Sequence, residues 1–139
     1  MRARRLTGPY DPSMSVVASV FVGLAALLHV YIFWMESLAW TRPEIWRRFG
    51  VADQAAADVT RPMAYNQGFY NLFLGLGAAL GVVLWWTGHQ EVGKALMLFG
   101  TGSMVAAATV LVTTGRSYLR AALSQGTVPL IGFVLTLVA

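Results

Sequence analysis

The sequence predicts an all-α integral membrane protein, a four-helix bundle with a short interfacial helical segment between its first two helices. Three observations predict it. Of 139 residues, 57% are hydrophobic and only 12% charged, about half the charge of an ordinary soluble domain. Mean hydropathy is +0.61. Several apolar runs approach or exceed the ~18–20 residues that cross a bilayer. The expected organisation is a basic arm over residues 1–14 and one transmembrane domain over 15–139, with spans at about 15–40, 63–86, 95–114 and 121–139.

In the arm, Arg2, Arg4 and Arg5 supply charge, while Gly8, Pro9 and Pro12 oppose a helix. Such an arm suits a headgroup surface. The first span, Ser15 to Trp40, is about 39 Å long as a helix, enough to cross with tilt. Trp34 and Trp40, with Glu36, crowd its end, so a cleavable leader is not expected there. Thr41 to Pro62 is the longest connection. Pro43 suits the first turn of a short helix, whose Ile45, Trp46 and Phe49 would share an apolar side opposite Arg47 and Arg48, as in a helix lying on a membrane surface. Gly50 stops it, and Asp53 caps a second short helix through Ala57. Thr60 then caps the second span, with Pro62 in its first turn. In that span Gly77 and Gly81 form a small-xxx-small pair for close helix packing, and Trp85 and Trp86 mark the far interface. Gly88 to Gly93 reads as a turn, and the third span follows at Ala95 to Thr114. The fourth, Ala121 to Ala139, is about 28 Å long. A full span is expected there, because a half-helix leaves carbonyls unsatisfied in lipid.

Four antiparallel spans put both termini on one side and give the polar residues a common depth. Glu36 ends the first span, Asn66, Gln67, Tyr70 and Asn71 open the second, Thr113 and Thr114 close the third, and Gln125 opens the fourth. All fall in the leaflet beside the first connection, with His29 beneath them at mid-depth. Glu36 is the only acid in any span. Its insertion costs roughly 2.5–3.5 kcal/mol at a helix centre and less off-centre, so hydrogen-bond donors from Gln67 or Asn71 are expected against it. The site candidates, for ligand binding or proton handling, are therefore Glu36, His29, Asn66, Gln67, Tyr70, Asn71 and Gln125. A purely structural hydrogen-bond network is the competing reading. Of the ten Lys and Arg, six (Arg42, Arg47, Arg48, Arg61, Arg116, Arg120) fall on the side of the first and third loops. The positive-inside rule leans towards that side as cytoplasmic.

Several classes are excluded. Cysteine is absent, which removes disulfides, thiolate metal sites and cysteine nucleophiles. Haem held by two histidines would need His89, at the opposite interface. A di-iron bundle needs paired Glu-x-x-His motifs. No phosphate loop, Ser-His-Asp set or paired catalytic carboxylates appear, and no basic patch interleaved with aromatics suggests nucleic acid. No catalytic residue, metal or cofactor is expected. The bilayer is the expected environment, with a membrane-protein partner or a second copy of the chain as the kind of protein partner.

Leu28-His29-Val30-Tyr31-Ile32, Glu36, Trp40-Thr41-Arg42-Pro43, Phe49-Gly50, the run Asn66-Gln67-Gly68-Phe69-Tyr70-Asn71-Leu72-Phe73-Leu74, and Gln125-Gly126 with Pro129 resemble a family of small bacterial membrane proteins, domain of unknown function 1304. The Asn-Gln-Gly-x-Tyr-Asn-x-Phe-Leu run is the specific part. The resemblance covers about residues 15–139 and implies a four-helix, multi-pass inner-membrane protein, with no activity attached. Members often carry an acid before the histidine, where this chain has Leu28, and the basic arm is an addition. Three functions fit the residues. One is binding or transport of a small solute, lipid headgroup or proton through a one-sided polar pocket. The others are an accessory subunit of a membrane complex and, third, a quinone-linked membrane enzyme.

Overall fold

The computed structural model describes residues 11–139; residues 1–10 of the expected arm lie outside the described residues. Helix α1 runs Pro12–Phe33 and passes into a π turn at Trp34–Leu38. The short α2 (Pro43–Trp46) tightens into a 3₁₀ turn at Arg47–Phe49. Then come α3 (Gln54–Trp86), α4 (Gln90–Thr114), a 3₁₀ turn at Arg116–Tyr118, and α5 (Leu119–Val138). The four long helices are each long and apolar enough to cross a membrane. They pack in a ring in which α3 touches α1 and α4, and α5 touches α4 and α1. The chain is a multi-pass membrane protein built as a four-helix bundle.

Helix starts fall earlier than apolar runs suggest, because capping chemistry decides them. Asp11 accepts from the Ser13 backbone N–H at 2.9 Å and its hydroxyl at 2.7 Å, and Pro12 occupies the first turn. Pro12 therefore opens α1 rather than ending an arm. Asp53 accepts from the Ala56 N–H at 2.8 Å and starts a helix that does not stop at Ala57. It runs through Pro62 as one 33-residue α3. The expected cap at Thr60 is replaced: its hydroxyl donates back to the Ala56 carbonyl at 2.8 Å. Proline removes one donor from this turn, and side chains serve the carbonyls around it, since the Trp40 indole N–H donates to the Ala57 carbonyl at 2.9 Å. Helix α4 begins five residues before the expected Ala95, behind the turn at Gly88, whose φ of 93° suits glycine. Helix α5 is continuous, with Pro129 inside it, and is long enough for the full span expected.

The connector is amphipathic, as its sequence suggests, but its apolar side faces protein. Ile45 packs with Ile32, Met35 and Ala39, and Trp46 with Trp40, Ala57 and Ala64. Arg47 and Arg48 stay exposed, and Gly50, at φ 76°, stops the turn. A second correction concerns Gly77. A Cβ built there would meet nothing within 4 Å, so it is not a packing glycine. Gly81 is: a Cβ there would lie 2.8 Å from the Met97 nitrogen and 2.9 Å from the Gly93 oxygen. The two glycines share a spacing, but only one lies at the phase that faces α4.

Candidate functional site

The inward stripe of α3 carries Ala64, Gly68, Asn71, Gly75 and Ala78 at helical three- and four-residue spacing. Small residues dominate it, so α1 approaches closely. A Cβ on Gly75 would fall 2.9 Å from the Ala26 carbonyl oxygen; one on Gly68 would fall 3.1 Å from both the Glu36 Cβ and the Phe33 oxygen and collide with the Ser37 hydroxyl. Gly68 is thus the gap into which the π turn fits. The Ser37 hydroxyl donates to the Tyr65 carbonyl at 2.8 Å, and the Phe33 and Phe69 rings meet edge to face at 5.0 Å.

The π turn closes with the Ala39 N–H on the Trp34 carbonyl at 2.9 Å. Widening the helix by one residue turns two consecutive side chains, Met35 and Glu36, inward; such turns recur at functional sites. Glu36 is only 8% exposed. Its Oε2 accepts from the Asn71 Nδ2 at 2.8 Å, the one-to-one meeting of carboxylate and amide expected from topology. Asn71 spends its second donor on the Gln67 carbonyl, at 3.2 Å, which fixes the amide plane. One carboxylate oxygen is thereby held, and the other is left to carry a proton or accept from a donor.

The other candidates divide. His29 is 3% exposed, and its Nδ1 pairs with the Ala25 carbonyl of its own helix at 2.9 Å. With that nitrogen as donor, Nε2 is the acceptor. Seven residues, about 10 Å of helix, separate it from Glu36, and Gly75 packs beside it. Asn66, Gln67 and Tyr70 are exposed, and Gln125 is half-buried on α5. The structure therefore does not gather these four side chains onto the carboxylate. Asn66 and Tyr70 lie about 140° and 100° around α3 from Asn71, whereas Gln67, one turn before Asn71, shares its side of the helix and stays exposed. Thr113 and Thr114 bond back to Val110 and Leu111 of their own helix. Sequence reasoning passed over Gly68 and Ser37. The Asn-Gln-Gly run held the signal for Gly68, since a glycine three residues before a buried amide marks where another backbone comes close. Among the described residues, no three His, Cys, Asp or Glu side chains gather as a metal site.

Two cavities lie away from Glu36. One, about 210 Å³, is walled by Trp85 and Trp86 with Pro12, Ser15 and Gln90 at the opposite end of the bundle. The other lies between α4 and α5.

A family model described as Protein of unknown function (DUF1304) matches residues 23–137, and the chain belongs to that family. Searches of curated proteins and of solved structures find no match.

Proposed function

Taking membership of that family as the premise, we propose that the protein binds a small hydrogen-bonding solute or a proton at Glu36, reached from the face that carries the 41–53 connector. On this reading it sits in the bacterial inner membrane with that face towards the cytoplasm. The observation that carries the proposal is the Glu36–Asn71 pair. A lone carboxylate is costly in a span, yet here a π turn aims it inward and a glycine clears the approach of its one amide partner. A network that only fixed helix register would have no need of an acid, because a neutral amide would serve with less desolvation.

The absence of cysteine makes the test clean. In sealed vesicles, Glu36→Cys is expected to react with a membrane-impermeant maleimide added on the connector side. Leu27→Cys, on a lipid-facing position 67% exposed at mid-span, is the unreactive control. Equal lack of reaction at both positions removes the proposal.

A second reading is favoured by one observation. Asn66, Gln67 and Tyr70 are exposed, and a helix of a partner protein could use them, as an accessory subunit would. Native mass spectrometry after mild extraction separates the two: monomer alone removes the accessory reading.

A further inference from the structure

The outer surface between α4 and α5 holds an apolar groove of about 170 Å³. Val105, Thr109 and Val112 form one wall and Leu123, Thr127 and Leu130 the other. Its floor is closed, because a Cβ on Gly126 would lie 2.8 Å from the Ala108 Cβ. Both wall threonines bond back to their own helix, Thr109 to the Val105 carbonyl at 2.9 Å and Thr127 to the Leu123 carbonyl at 2.7 Å. The groove thus presents a mainly apolar lining on the outer surface of the bundle.

What distinguishes it from any seam between two helices is its end. Arg120, Leu123, Thr127 and Leu130 follow one another along α5 at spacings of three, four and three, so the wall of the groove continues into Arg120, and Arg116 lies in the 3₁₀ turn just before the helix. Both are exposed. No Asp or Glu occurs anywhere from residue 92 to residue 139, and the one acid of α4, Glu91, sits in its first turn at the opposite end of the helix. From Arg120 to Leu130 the helix rises about 15 Å, half of a hydrocarbon core of about 30 Å. An apolar slot one leaflet deep, with two exposed arginines in the chain just beyond its end, matches an amphiphile with a single anionic head.

We propose that this groove is a binding site for an anionic phospholipid. One acyl chain lies between α4 and α5, and the phosphate is held by Arg116 and Arg120. Guanidinium forks suit phosphate oxygens, and the polar end lies at the headgroup level of the leaflet that contains the connector. This site is separate from Glu36 and stands whether or not Glu36 binds a solute.

The test uses the full chain purified in mild detergent and mixed with phosphatidylglycerol or with phosphatidylcholine of the same acyl chains, read by native mass spectrometry. Phosphatidylglycerol is expected to remain as a one-to-one adduct at detergent levels that strip phosphatidylcholine. The Arg116→Gln/Arg120→Gln double variant should weaken retention about thirtyfold, the combined worth of two surface arginines near a membrane. Thr127→Trp, at an exposed position, should fill the slot and abolish the adduct while the thermal midpoint stays unchanged. Equal retention of both lipids, or indifference to either variant, overturns the proposal. So does a Thr127→Trp variant that loses a dimer rather than a lipid, because the groove would then seat a second copy of the chain.

Discussion

At the end of the bundle where α3 turns into α4, backbone meets backbone. Gly81 faces Gly93 and Met97 closely enough that a methyl group on either glycine would strike main-chain atoms, and the Trp86 indole N–H ties α3 to Ser19 of α1 at 2.9 Å. At the opposite end, side chains hold the contact. The π turn of α1 meets α3 through Glu36 on Asn71 and Ser37 on Tyr65, with Gly68 clearing the way. Without a hydrophobic force between helices in lipid, close van der Waals contact and interhelical hydrogen bonds remain as the sources of association; close backbone contact leads at the first end and side-chain hydrogen bonds at the second. The backbone contact has no chemical handle. The side-chain contact is built on a buried titratable group, Glu36. That difference is why function is sought at the connector end and rigidity at the other.

The strongest way to break the comparison is at the tight end. Gly81→Leu forces four carbons into a space bounded by main-chain atoms, which cannot rotate away. The expected loss is about 3 kcal/mol or more, at or beyond the upper end of ordinary overpacking. Gly77→Leu, four residues earlier and facing open space, should leave stability unchanged or raise it by up to about 1 kcal/mol, because glycine is a poor helix former. Thermal unfolding in detergent reads both. Equal losses would mean that α3 is rotated about its axis from the phase described.

At the polar end the expected effect is smaller. Asn71→Leu leaves the Glu36 carboxyl buried without its amide and should cost about 1–3 kcal/mol. Asn66→Leu removes the same side chain from an exposed position and should stay within about 0.5 kcal/mol. Glu36→Leu combined with Asn71→Leu should recover much of the loss, since replacing both partners by apolar groups removes the unsatisfied one. If the double variant is no better than Asn71→Leu alone, the pair is not the contact that holds this end.

These paired residues also show what was legible in advance. The four spans, their antiparallel order and the depth shared by Glu36 and Asn71 follow from apolar runs and chain direction, so the central contact could be read before any coordinates. Phase could not. Asn66 and Asn71 have the same chemistry, and Gly77 and Gly81 the same spacing, yet in each pair only one residue lies on the inner face, because packing against α1 and α4 sets the rotation of α3. The connector's amphipathic pattern names an apolar side without naming what covers it, and the cover is Ile32, Met35, Trp40, Ala57 and Ala64 rather than lipid. The π turn leaves no signature in Trp34–Leu38; the residue that makes room for it, Gly68, lies on another helix. Pro62 reads as a helix start, yet α3 runs on through it, with the Trp40 indole N–H and the Thr60 hydroxyl bonded to carbonyls of the turn before it.

The smallest expected effect lies at the tip of α1, on the backbone-contact end, and it carries a pH dependence. The Ser13 hydroxyl and then the Ser13 backbone N–H donate to the Asp11 carboxylate and hold its pKa below the ordinary aspartate value. Both donors favour the ionised form. A carboxyl whose folded pKa lies below its unfolded one binds fewer protons folded than unfolded, so the cap adds stability above the unfolded pKa. That stability is lost as pH falls through the folded value. The gap in thermal midpoint between the natural chain and Asp11→Ala should therefore be present at neutral pH and shrink on acidification below the ordinary aspartate range. Asp11→Asn, which can still cap a helix, should keep a midpoint that does not follow this titration. Because the site is fully exposed, the gap should be the smallest of the three effects, and added salt should narrow it further. A gap that widened in acid would reverse the sign and mean that Asp11 does not cap α1 as a carboxylate.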